Sequence, residues 1–193
     1  QLYNFCQDHE IDLATLILKQ KTWNQLSDKT IVYHGSKNGI TGSIQPLSRS
    51  QCDFGKGFYM GTEPGQPLTL ICDFEKSKFY IVSIDMSKLN SIEIEADLDW
   101  AMLVAYHRGR MEQIKGTAFY EKYSQLDAGK DLVIGSIAND RMFYVLDNFF
   151  MGNITDAALV NSLSALKLGK QYVATTEKAC AAIKIEKEIP ISM

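Results

Sequence analysis

Ile31-Val32-Tyr33-His34-Gly35-Ser36 and Asp53-Phe54-Gly55-Lys56-Gly57-Phe58-Tyr59-Met60 are the two stretches on which the reading of this chain turns. The first is a short apolar run that ends in His-Gly-Ser, the pattern of a buried strand opening into a loop. The second is a glycine-punctuated loop that runs into aromatic residues, the pattern of a loop entering a strand. Two strand ends, one offering a histidine and the other a tyrosine, are expected to form two walls of one cleft.

Working outward, residues 1–28 carry apolar positions at near-helical spacing (Leu2, Phe5, Leu13, Leu16, Ile17) and are expected to form an N-terminal helical segment, with Asp12 as a cap. Packing on the back of the domain, a lid over it, and the tail of an upstream module all remain open for this segment. Residues 29–193 form the main domain. Between Gly35 and Pro46 the composition suits a loop with a short helix, and Phe58–Gly61 is strand-like. A helix is expected over 64–75, strands over 79–85 and 92–95, a helix over 97–110 and a second over 111–126. A buried strand at 132–134 runs into Gly135-Ser136. Asp140 then caps a helix with Phe143, Leu146 and Phe150 on one face, and Thr155 caps another with Leu159, Leu163 and Leu166 inward. A strand over 171–175, a short helix over 176–183 and a last strand over 184–191 complete an α+β domain without the cadence of a doubly wound sheet.

Composition excludes several function classes. The 193 residues are 46% hydrophobic and 22% charged, ordinary for a globular domain. A net charge of -3 gives no general attraction to nucleic acid or to anionic membranes. No apolar run reaches the ~18 residues of a membrane span. Cys6, Cys52, Cys72 and Cys180 show no C-x-x-C spacing, and three histidines assemble no zinc constellation, so no metal is expected. The cysteines read as thiols in a reducing, cytoplasmic compartment. The chain starts at Gln1 rather than Met, which leaves an upstream leader or domain open.

Each candidate residue has a plain explanation beside a functional one. His34 is either a histidine satisfied at a sheet edge or a polar group presented to a ligand where Gly35 lets the backbone be approached. Tyr59 is either a core aromatic or, with Gly55, Gly57 and Gly61 around it, a face kept open for a planar ligand. Asp53-Phe54-Gly55 lacks every other kinase element.

Tyr33-His34-Gly35-Ser36 followed by Gly57-Phe58-Tyr59 resembles the first two blocks of the ADP-ribosyltransferase superfamily, in its diphtheria-toxin and poly(ADP-ribose) polymerase branch with the His-Tyr-Glu signature. The chain is closer still to a bacterial family of uncharacterised ADP-ribosyltransferase-like domains, often encoded beside a small partner in toxin–antitoxin fashion. Its blocks appear here in order: YHGS at 33–36, Ser48-Arg49 and then DFGKGFY at 53–59, the Leu98-Asp99-Trp100 helix running to His107-Arg108, DLVIGSIANDR at 131–141, and Gln171-Tyr172-Val173. The resemblance covers about residues 30–183. It implies a split β-sheet core with peripheral helices. It also implies an NAD site, with NAD as substrate, in which His34, Gly35 and Ser36 hold the nicotinamide ribose and amide, and Gly57 and Tyr59 form the stacking wall. Arg49 or Arg108 would pair with the pyrophosphate, unless each is a structural ion pair.

The third signature position falls on Gln171. A carboxylate there would stabilise an oxocarbenium-like state; an amide orients the sugar without full charge. Glu177 is the nearby carboxylate and is explained by the first turn of a helix. Asn139 and Asp140 either cap the following helix or line the acceptor side. The resemblance thus implies a toxin-type enzyme that uses His34, Tyr59 and Gln171 to transfer ADP-ribose to an unknown macromolecular acceptor, with a small antitoxin-like protein as partner. The alternatives are a non-catalytic nucleotide- or partner-binding module and an NAD glycohydrolase.

Overall fold

The computed structural model describes residue 12 and residues 29–138, 142–164 and 169–191. The expected N-terminal helical segment therefore falls outside the described residues, Asp12 apart. Asn139 and Asp140 also fall outside them, as do the inward faces expected of Phe143, Leu163 and Leu166.

Seven strands form one sheet: β1 (Thr30–Ser36), β2 (Phe58–Gly61), β3 (Lys78–Ile84), β4 (Ser91–Ile94), β5 (Leu132–Ser136), β6 (Lys170–Ala174) and β7 (Ile183–Pro190). Their order is β4-β5-β6-β2-β1-β3-β7. Six α-helices are found among the described residues: α1 (Gly65–Ile71), α2 (Leu98–His107), α3 (Ala118–Leu126), α4 (Met142–Phe150), α5 (Asp156–Ser164) and α6 (Glu177–Ala181). The architecture is mixed α+β. β4 and β5 are parallel, which requires the long α2–α3 crossover between them. β1 joins β2 through the single pair Tyr33–Gly61, so the sheet has a seam between β4-β5-β6-β2 and β1-β3-β7.

Side chains alternate along each strand, so the register assigns faces. Tyr33 pairs with Gly61, Gly61 with Gln171, and Gln171 with Gly135, which puts all four on one face. Tyr59 shares that face. His34, Phe58, Met60 and Tyr172 project to the other. Both faces are covered, which is why β1 and β3 read as continuous apolar runs instead of alternating ones. On the Tyr59 side lie Phe54, Trp100, Met102, Leu103, Val133 and Val173. On the His34 side lie Val32, Met60, Tyr80, Val82, Ile134 and Ala174. Burying each large side chain of this kind is worth about 1.5–3 kcal/mol.

α2 is the helix that matters for the site. Asp97 caps it by accepting from Trp100 N at 3.1 Å, and six consecutive residues, Trp100 to Ala105, are buried. Trp100 Nε1 donates to the Ser136 carbonyl at 3.0 Å, fixing the helix against the end of β5. Gly109, at φ 71°, follows the helix's last residues and leaves Arg108 at the tip. Asp131 anchors the other end of β5: it accepts from Asn90 N, Thr176 Oγ1 and Lys178 Nζ, and Lys178 foremost pulls its pKa down to about 2.

Three local expectations are corrected. No helix forms between β1 and β2. The helix expected over 64–75 ends at Ile71, where Phe74 N bonds back to the Ile71 carbonyl in a turn. The helix expected over 111–126 is two pieces, a 3-10 turn at Glu112–Ile114 and then α3. Gly116 at φ 85° breaks the chain between them, and Thr117 restarts it by accepting from Tyr120 N at 3.2 Å.

Candidate functional site

An open cleft of about 400 Å³ lies at the ends of β1 and β2. His34 and Ser36 line it from β1, Gly57, Phe58 and Tyr59 from the start of β2, and Ile40 to Ser48 from the loop between them. The loop is pinned at both ends. Ile40 N donates to Tyr80 Oη at 2.8 Å, and Ser48 Oγ accepts from Gly57 N at 3.0 Å.

The imidazole of His34 stacks on Phe58 with ring centroids 4.1 Å apart. Its Nδ1 lies 2.7 Å from the Tyr59 carbonyl oxygen. A carbonyl only accepts, so Nδ1 carries the hydrogen. Burial lowers the pKa of the ring, and the bond to Tyr59 opposes this in part. The neutral ring therefore leaves Nε2 as its acceptor, on a residue that lines the cleft.

Tyr59 is committed differently from a free stacking platform. Its hydroxyl donates to the Gly55 carbonyl at 2.7 Å and accepts from Phe54 N at 3.0 Å, tying the 53–57 loop to the start of β2. Burial, foremost, holds the phenol well above its ordinary pKa. The glycines around it also have protein neighbours. A Cβ on Gly57 would stand 2.4 Å from Val173 Cγ1 and 3.0 Å from the Ala174 carbonyl, and one on Gly61 would meet the Gln66 side chain. Gly55 needs its residue type for a φ of 70°. Gly35, read as a place for ligand to approach the backbone, lies against α1 instead: its Cβ would be 2.8 Å from the Pro67 carbonyl.

Gln171 lies apart from the residues that line the cleft. It is buried, with Nε2 donating to Asp53 Oδ2 at 2.8 Å and to the Ser136 carbonyl at 3.2 Å. Asp53 is the hub of this corner. Its Oδ1 accepts from Arg108 Nε at 2.7 Å and from the Arg108 terminal nitrogen, and its Oδ2 also accepts from Ala138 N at 3.1 Å. Arg108 is thus held in a structural ion pair, while Arg49, next to cleft-lining Ser48, is exposed. The structure brings His34, Ser36, Gly57 and Tyr59 together and leaves Gln171 with Asp53.

Sequence reasoning missed Asp53 as a site-shaping residue, since the Asp53-Phe54-Gly55 triplet carries a meaning in sequence only with kinase elements that this chain lacks. It also missed the pair formed by His107 Nε2 and Asp127 Oδ2 at 2.7 Å, which joins the C-terminal ends of α2 and α3. No spacing rule links positions that far apart. Among the described residues no group of three or more His, Cys, Asp or Glu gathers to hold a metal, and no helix is long and apolar enough to cross a membrane.

No curated protein matches this chain. A family model does, over residues 30–185, from the start of β1 into β7 and spanning both the cleft and the Asp53 hub. The chain belongs to that family, which is described as Protein of unknown function (DUF3990).

Proposed function

We propose that this domain is an NAD-dependent ADP-ribosyltransferase-like enzyme, with the cleft at the β1 and β2 strand ends as the nicotinamide-ribose site. The observation that carries this reading is the His34 ring: neutral, with Nδ1–H spent on the Tyr59 carbonyl and Nε2 left as its acceptor. Such a group accepts a hydrogen bond from a sugar hydroxyl and repels no cationic nicotinamide. A volume of about 400 Å³ suits one half of a dinucleotide, with the other half running over the open rim beside Arg49. The seam between β2 and β1 supports the split-sheet part of the same reading.

In the proposed reaction the bond between nicotinamide nitrogen and ribose C1′ breaks, and its electron pair leaves with nicotinamide. An acceptor nucleophile bonds to C1′ and gives up its proton. Gln171, buried beside Asp53 and outside the cleft lining, supplies no charge to this step, and a missing electrostatic contact of this kind costs about 3–4 kcal/mol of barrier. The acceptor is a macromolecule of unknown identity, and a small antitoxin-like protein is the proposed partner. The tie between Gln171 and Asp53 favours a second reading, a non-catalytic nucleotide-binding module on the same scaffold.

Titration of labelled protein with NAD is expected to shift the resonances of His34, Ser36 and Tyr59. Incubation with NAD then separates the readings: free nicotinamide with label on protein or nucleic acid marks the transferase, and nicotinamide alone marks hydrolysis. Binding without either marks the module. An absence of shifts at saturating NAD removes the proposal.

A further inference from the structure

We infer that Asp53 is a positioning residue that decides which end of the Gln171 amide any ligand meets, and that bars a carboxylate from position 171. Both partners of the amide nitrogen, Asp53 Oδ2 and the Ser136 carbonyl, are acceptors. The end facing them must be the NH2 group, so its two hydrogens are spent. Oε1 is then the polar atom left for a ligand, and a ligand group at this position must be a donor, such as a sugar hydroxyl. Arg108 and Ala138 N hold the Asp53 carboxylate in place from behind, so it cannot turn away from Gln171.

The same geometry explains why an amide stands here. A glutamate would set a second carboxylate oxygen about where Nε2 is, 2.8 Å from Asp53 Oδ2 in a buried corner. Two such groups cannot both ionise cheaply. Where the site acts on NAD, which rests on the function proposed above, Asp53 keeps negative charge out of position 171.

A swap of chemistry between the two positions tests this. Gln171→Glu puts two carboxylates face to face. Asp53→Asn, with its oxygen kept towards Arg108, puts its NH2 group against two donors, Gln171 Nε2 and Ala138 N. The double variant Asp53→Asn/Gln171→Glu restores one carboxylate facing one amide. Each single change is expected to lower Tm by about 5 °C or more, and the double variant to lose clearly less than the sum of the two. Recovery is partial, because Arg108 loses the Asp53 charge and the Ser136 carbonyl and Ala138 N keep mismatched partners. In Gln171→Glu the new carboxyl titrates well above the usual carboxylate range, and in the double variant it returns to that range, which a generic packing role would not produce. If NAD is a substrate, the double variant releases nicotinamide at least tenfold faster than wild type.

Additive losses in the double variant, or a new carboxyl titrating normally in Gln171→Glu alone, overturn the inference. Should a single variant fail to fold, the folded double variant alone still supports it, and an unfolded double variant counts against it. A partly recovered double variant with NAD bound but no gain in nicotinamide release overturns the claim that charge at position 171 limits the reaction. Wild type that shows no NAD shifts ends the proposed function instead, leaving the Tm and titration results to judge Asp53.

Discussion

His34 and Tyr59 stand on opposite faces of the sheet, and the hydrogen bond from His34 Nδ1 to the Tyr59 carbonyl is what joins them at the cleft. The imidazole belongs to the Phe58–Tyr80 side and the phenol to the Phe54–Val173 side. They therefore contribute to one cleft in different ways, one as a polar atom and the other as a brace for the loop that walls it.

This arrangement predicts a pH dependence. The folded-state pKa of His34 is lowered by burial below the ordinary value of about 6.5. The unfolded chain then binds the proton first as pH falls. The stability contributed by the neutral ring is complete above about pH 6.5 and is lost as pH drops towards the folded pKa, with a limiting slope of about 1.4 kcal/mol per pH unit. Denaturant melts of wild type and His34→Asn between pH 8 and 5 should show a wild-type excess slope in that window. Parallel curves would refute the prediction. NAD affinity should hold through that window and fall only as pH passes below the lowered folded pKa, where the folded ring gains its proton and Nε2 can no longer accept.

Tyr59→Phe removes a hydroxyl that satisfies both the Gly55 carbonyl and Phe54 N. Leaving such groups without a partner costs about 1–3 kcal/mol, equivalent to a fall in Tm of about 2–12 °C. Amide exchange should accelerate first at Phe54 and Gly55. A variant with unchanged Tm and exchange would mean that the hydroxyl is not what holds the loop.

Gly57→Ala tests whether this glycine is required by packing. A methyl there meets Val173 Cγ1 at 2.4 Å and the Ala174 carbonyl at 3.0 Å, and the second of these is backbone of the neighbouring strand. β2 and β6 must separate locally, with an expected cost of about 1–3 kcal/mol by equilibrium unfolding. If the alanine variant keeps wild-type stability but loses ligand shifts, the glycine is there for the cleft and not for the sheet.

These outcomes reflect what a linear reading resolves. Strand β2 was legible to the residue, because an aromatic run after closely spaced glycines has one good solution, and β1 and β3 were legible as apolar runs buried on both faces. The break at Gly116 was not, since a helical stripe continues across it and the positive φ shows only in the fold. Gly35 and Gly57 were legible as places of close approach, but not what approaches: α1 in one case and β6 in the other. Asp53 is 55 residues from Arg108 and 118 from Gln171, so its role comes entirely from tertiary pairing.

Arg108 supplies the sharpest stability test of that pairing. Its guanidinium meets Asp53 Oδ1 through two nitrogens, and both side chains are largely withdrawn from solvent, at 16% and 6% exposure. Removing one partner of a buried pair strands the other charge and costs about 3–5 kcal/mol. Arg108→Gln should therefore lower Tm by about 6–20 °C. Arg108→Lys keeps the charge but offers a point donor in place of the planar fork, so it should recover only part of the loss. Adding Asp53→Asn to Arg108→Gln removes the stranded charge and should be less destabilising than the sum of the two single changes. Strict additivity in that cycle would mean that the two residues do not depend on each other, and that Gln171 is held by the Ser136 carbonyl without the ion pair behind Asp53.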